Sequence, residues 1–264
     1  MLPCSWVSAA VPTHVVFQNG RSAPISALTL QGDKLVVTAA VDGFLPGQAF
    51  PLTIADHVYG IKPTTLNQAI ALLLTGKSSE ALKLLEPIVA EHRITAKIAG
   101  NFWLEAARAA LVAYAVEGNA AKCTEIGKEI SDATPAQGID PFVSLGKALM
   151  MPTTTNVADK EVAFRDLTTG NLPANVAAYA SIYRGNVLKE AKRNAEALEA
   201  YLMVPCLYPT GGLILNGFAE LNASELLVAI NRREESIALL NSSVRNSADT
   251  LLAVEANKRL ESLK

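Results

Sequence analysis

Residues 180–204 read ASIYRGNVLKEAKRNAEALEAYLMV, and the fold follows from them. Apolar side chains recur every three to four positions on either side of Lys192-Arg193-Asn194, where the pattern breaks. That predicts two amphipathic helices, over 176–191 and 195–204, joined by a tight turn. The outline recurs in both directions along the chain. Upstream, Leu66, Ala69, Ile70 and Leu73 share one helical face. Gly76-Lys77-Ser78 interrupts it, and Ala81, Leu82, Leu85, Ile88 and Val89 supply the apolar face of a second helix. Residues 103–116 and 120–130 flank Glu117-Gly118-Asn119, and 215–230 and 234–244 flank Asn231-Arg232-Arg233. A shorter pair is expected at 142–150 and 158–167, and a closing helix at 249–263.

The unit at 180–204 resembles the tetratricopeptide repeat. Gly185 matches the small residue at which the two helices of a hairpin approach, and Ala197 its counterpart on the second helix. Tyr201 matches the bulky residue that plugs the next hairpin, and Pro209 the terminating proline. Ala69, Ala81 and Leu85 fill the same places in the first unit, and Ser224, Ser236 and Leu240 in the last. In the second unit Tyr114, Cys123 and Pro135 fit, but Leu111 replaces the small residue and Gly127 the plug. Ala81 to Cys123 spans 42 residues and Ala197 to Ser236 spans 39, against about 34 in the family. The resemblance covers residues 64–264 and implies stacked helical hairpins whose first helices line a concave groove. It places Glu105, Arg108, Tyr179, Ile182, Asn186 and Lys189 on that groove, a mixture suited to a protein or peptide partner.

Ahead of the helices the chemistry is that of short strands. Residues 14–18 run into Asn19-Gly20, a pair suited to the positive φ angles of a hairpin. Segments 25–30, 34–40, 48–52 and 56–59 alternate or are β-branched, with Gly and Asp between them. Five strands predict a β-meander curled into a small barrel. The expected fold is therefore mainly α: a tail at 1–13, a β domain at 14–62 and a helical-repeat domain at 63–264. The layout is similar to a group of bacterial exported proteins. Residues 1–10 (MLPCSWVSAA) read as the back end of a secretory signal, with a plain N-terminal tail as the alternative. Export to the periplasm is accordingly expected, with the cytoplasm as the alternative.

Half of the 264 residues are hydrophobic and 6% aromatic, which favours helices packed through small side chains. The formal net charge of -2 and the absence of any run of Lys and Arg argue against nucleic acid as a partner. No stretch reaches the roughly 20 apolar residues of a membrane helix. Leu74-Thr75-Gly76-Lys77-Ser78 departs from the phosphate-loop pattern at Ala71 and reads as a hairpin turn. His14, His57 and His92 stand apart from one another and from Cys123 and Cys206, so no metal or cofactor is expected. Nor does a nucleophile motif support catalysis. A non-enzymatic interaction or scaffold module is expected. The alternatives are a fixed subunit of an envelope assembly, and a small-molecule binder or enzyme with a pocket beside the β domain.

Overall fold

The computed structural model describes residues 12–134, 138–169 and 171–263. The signal reading of residues 1–10, Cys4 and the expected repeat terminator Pro135 lie outside them. The chain divides into two compact units, 1–63 with 87–106, and 64–86 with 107–264.

The first unit holds strands β1 (His14–Phe17), β2 (Ser22–Pro24), β3 (Leu28–Gln31), β4 (Lys34–Val37), β5 (Ala49–Pro51) and β6 (Ala55–Tyr59). They form two three-stranded antiparallel sheets, ordered β2-β1-β6 and β3-β4-β5, which corrects the expected five-stranded meander and barrel. A 3-10 turn at Ile25–Ala27 cuts the segment read as one strand. The residues just before it, Ser22–Pro24, which that segment did not include, pair with β1, and Leu28–Gln31 after it pair with β4. The last strand returns to the first, Val15 opposite Val58. At the expected hairpin only Gly20 takes a positive φ; Asn19 instead accepts the Arg21 amide through its side chain. Alternation buries Val15 and Phe17 from one sheet and Leu35 and Val37 from the other into a single core. Phe17 lies 5.5 and 5.1 Å from Phe44 and Phe50. Ile98 joins this core, and Val58 donates its amide to Ala99 at 2.8 Å. Those contacts explain why 87–106 belongs to this unit.

Eleven α-helices are described: α1 (Thr64–Leu74), α2 (Ser78–His92), α3 (Trp103–Val116), α4 (Ala120–Ala133), α5 (Pro141–Leu149), α6 (Val157–Asp166), α7 (Ala174–Glu190), α8 (Asn194–Leu207), α9 (Leu213–Ala229), α10 (Arg233–Asn246) and α11 (Leu251–Ser262). The helical periods predicted all eleven. The division between units falls at Pro87 within α2 and after Ala106 within α3.

Four hairpins of the second unit share one turn. Gly76, Gly118, Lys192 and Asn231 take left-handed backbone, with φ of 80, 71, 61 and 61°. Each donates its amide to the carbonyl three residues back, and the next residue donates to the carbonyl five back. Thus Lys77, Asn119, Arg193 and Arg232 reach Leu72, Tyr114, Leu188 and Leu227, each at 2.9 Å. This paired closure satisfies carbonyls that a helix end otherwise leaves bare. Five positions on stand the buried residues Ala81, Cys123, Ala197 and Ser236. The Gly-Lys-Ser segment is therefore one of four equivalent turns.

The crossing positions also align. In α7 and α8, a Cβ added at Gly185 would lie 2.6 Å from the ring of Tyr201. In α3 and α4 the sizes are exchanged: Leu111 is large, and a Cβ at Gly127 would lie 3.1 Å from Val143 of α5 and 3.5 Å, ordinary contact, from Leu111 Cδ1. Helix α9 is the centre of the unit, with twelve of its seventeen residues buried. It packs against α7, α8, α10 and α11, and α1 returns to cover it and α11. A helix touched on every side has little use for a polar stripe, so α9 carries Phe218, Leu221, Leu226 and Leu227 around its circumference.

Candidate functional site

The six residues expected on a groove have different surroundings. Glu105 is in the β-containing unit, where Lys62 donates to it at 2.6 Å. Arg108 reaches Asp140 at 2.5 Å and lies over the Phe142 ring at 5.2 Å. Asp140 is wholly buried and also accepts the Phe142 amide as the N-cap of α5, so Arg108 anchors α5 to α3. Tyr179 is buried edge-on against Phe142, at 5.7 Å, and Ile182 is fully buried. Neither side chain is available to a partner, because α5, α6, α8 and α9 all pack on α7. Asn186 and Lys189, farther along the helix, are partly exposed.

Asn186 lines a cleft of about 620 Å³ formed by the end of α1, α7, α9 and α11. The faces of α9 are occupied by its neighbours and by α1, and this cleft lies beside the turn that ends α1. Phe218, Leu251 and Val254 give it an apolar wall, and Val254 is 71% exposed. Asn222, Glu255 and Arg259 supply polar groups. No protein-family model, curated protein or solved structure matches the chain.

Two amides are oriented there. The buried Tyr201 donates its hydroxyl to the Asn186 carbonyl at 2.7 Å, and burial pushes the Tyr201 phenol well up, keeping it a donor. That bond leaves the Asn186 N–H groups without an acceptor among the described residues. Asn222 donates to the Phe218 carbonyl at 3.0 Å, which leaves its own carbonyl oxygen as an acceptor. Lys189 pairs with Glu225 at 2.9 Å, and Arg259 with Glu225 at 3.2 Å and Glu255 at 2.8 Å. Burial acts to raise the Glu225 pKa, but hydrogen bonds and charge from Lys189 and Arg259 outweigh it and hold the carboxyl below its ordinary value.

Elsewhere the titratable groups have structural surroundings. His57 pairs with the adjacent Asp56 at 2.8 Å, both well exposed. His92 is buried edge-on to Phe102, and burial lowers its pKa. Cys123 is buried and Cys206 exposed, and both are free thiols. Among the described residues no three His, Cys, Asp or Glu side chains converge as metal ligands would, and no helix is long and apolar enough to cross a membrane.

Repeat position pointed to Asn186 and Lys189 but missed Asn222, Val254, Glu255 and Arg259. Arg259 follows Glu255 by one helical turn, which reads as an ordinary surface pair. Only the return of α1 toward α9 and α11 makes these residues one wall of a cleft.

Proposed function

We propose that the chain is a non-enzymatic interaction module of the tetratricopeptide-repeat kind, acting in the bacterial cell envelope, and that its cleft takes an extended segment of a partner protein. The observation that carries this reading is the pair of oriented amides. Asn186 offers N–H donors and Asn222 a carbonyl acceptor beside an apolar wall. Together they complement an extended backbone that carries an apolar side chain. The largely exposed Val254 supports it, since an apolar residue open to water at a cleft mouth gains by being covered. The envelope location rests on the sequence of residues 1–10 and on the layout's similarity to bacterial exported proteins.

Selection of random displayed peptides on the wild-type chain and on Val254→Glu tests the site. Peptides enriched on the wild type should bind Val254→Glu at least about tenfold more weakly. Binding to a control Lys83→Glu chain, altered on an exposed part of α2, should be unchanged. Peptides that bind all three chains equally would remove the cleft as the partner site.

A further inference from the structure

We infer that the segment held in this cleft is uncharged: the site reads backbone and apolar side chains, and excludes acidic peptides and free C-terminal carboxylates. The inference rests on the cleft being the partner site.

Arg259 is the cation in the cleft's lining, Lys189 stands just outside it, and each is paired with a carboxylate. Lys189 stands one turn beyond Asn186 on α7 and is held by Glu225 at 2.9 Å. Arg259 is held on two sides, by Glu225 at 3.2 Å and Glu255 at 2.8 Å. The same guanidinium also donates to the Leu221 carbonyl at 3.1 Å. The two charged residues in the lining, Glu255 and Arg259, are thus paired with each other, with Glu225 on the far side of Arg259, and their fields cancel at short range. An arriving carboxylate would have to displace Glu225 or Glu255 from Arg259 and then stand beside the displaced acid. An arriving Lys or Arg would find both carboxylates engaged. The low Glu225 pKa is consistent with that closed arrangement.

The remaining groups are neutral. The Thr75 hydroxyl turns back to the Ala71 carbonyl at 2.9 Å. Gly76 presents bare backbone at the mouth. Lys77 follows it in the turn and does not line the cleft. The groups open to a ligand are thus the Asn186 amide hydrogens and the Asn222 carbonyl oxygen. Neutral amides recognise neutral amides without the desolvation cost of a buried charge.

The sequences of the selected peptides, and a charge-releasing variant, test this. Peptides whose binding depends on Val254 should lack Asp, Glu, Lys and Arg in their shared core. Their affinity should change by less than about twofold when ionic strength rises about tenfold. Glu225→Gln frees one side of Arg259 and releases Lys189; Glu225 is only half covered, so the change leaves the helices intact. A blocked Val-Glu-Val-Glu-Val peptide should then gain about tenfold in affinity relative to wild type, while its Val-Ser-Val-Ser-Val counterpart should not. Acidic peptides that the wild type enriches and Val254→Glu loses would keep the cleft and overturn the neutral reading. An acidic probe indifferent to Glu225→Gln would overturn it as well. If no enriched peptide depends on Val254, the site itself fails and this inference goes with it.

Discussion

Where α7 meets α8, Gly185 admits the ring of Tyr201; where α3 meets α4, Leu111 fills the first position and Gly127 makes room at the second. The positions are equivalent, seven residues before and nine after the left-handed turn residue in both hairpins. The comparison teaches that the crossing is governed by combined volume, since a close-packed interior tolerates an exchange of sizes better than a change in their sum. Leu111 also reaches α5, where a Cβ at Gly146 would come within 2.8 Å of its Cδ2. The inverted pair therefore serves the next helix as well. A unit that departs from the repeat pattern at two positions has departed at two that compensate each other.

The largest effect should come from breaking this pair. Gly185→Leu drives a side chain into the Tyr201 ring and should cost about 3 kcal/mol. Adding Tyr201→Gly recreates the size order of Leu111 and Gly127. It should recover at least about 1 kcal/mol of that loss in chemical denaturation. Simple additivity of the two single changes would show that volume exchange is not what the two hairpins share.

A second contrast lies between the two cations expected on one groove. Arg108 pairs with a wholly buried Asp140, whereas Lys189 and Glu225 are each about a third or more exposed. Arg108→Ala strands a buried carboxylate and should cost about 3 kcal/mol. Lys189→Ala should cost less than about 1 kcal/mol. Equal unfolding midpoints for the two variants would refute the assignment of Arg108 as an anchor.

The smallest effect concerns equivalent positions in α7 and α9, eleven residues before the turn: Ser181 and Glu220. Both are buried. Glu220 accepts Ser242 and Asn246 at 2.7 and 2.9 Å, yet burial outweighs these donors and raises its pKa above 4.5. Above that pH the unfolded chain has lost its proton while the folded carboxyl still holds one, so stability falls as pH rises until the folded group ionises. Glu220→Gln should remove this fall. Urea midpoints measured from pH 4 to pH 8 should therefore diverge in favour of the variant as pH increases; parallel curves would mean that Glu220 titrates as it does in water.

Much of the fold was legible because helices and their turns depend on near neighbours. The interrupted 3.6-residue period predicted the eleven helices, and Gly76, Gly118 and Asn231 are residue types that enter left-handed backbone readily. Lys192 takes the same conformation without that signal, and its place between two periodic segments located the turn. The strands were mostly placed, but not their partners. Ser22–Pro24 is too short to show alternation, and nothing local states that β6 pairs with β1. Of the cleft's lining only Asn186 was legible, with Lys189 just outside it.

By itself the sequence determined that the eleven helices occur and where the turns between them fall, to within a few residues at their ends, which residues mark the repeated crossings, and that a β region precedes the helices. These depend on backbone preference and on periodic burial within a few turns. The tertiary structure decided that the strands form two sheets, that Tyr179 and Ile182 are interior, and that α1 returns to cover α9 and α11. It also decided that Arg259, the cation lining the cleft, already has two acidic partners. Those outcomes rest on contacts between segments far apart in the chain, whose geometry is set only when the intervening hairpins have packed.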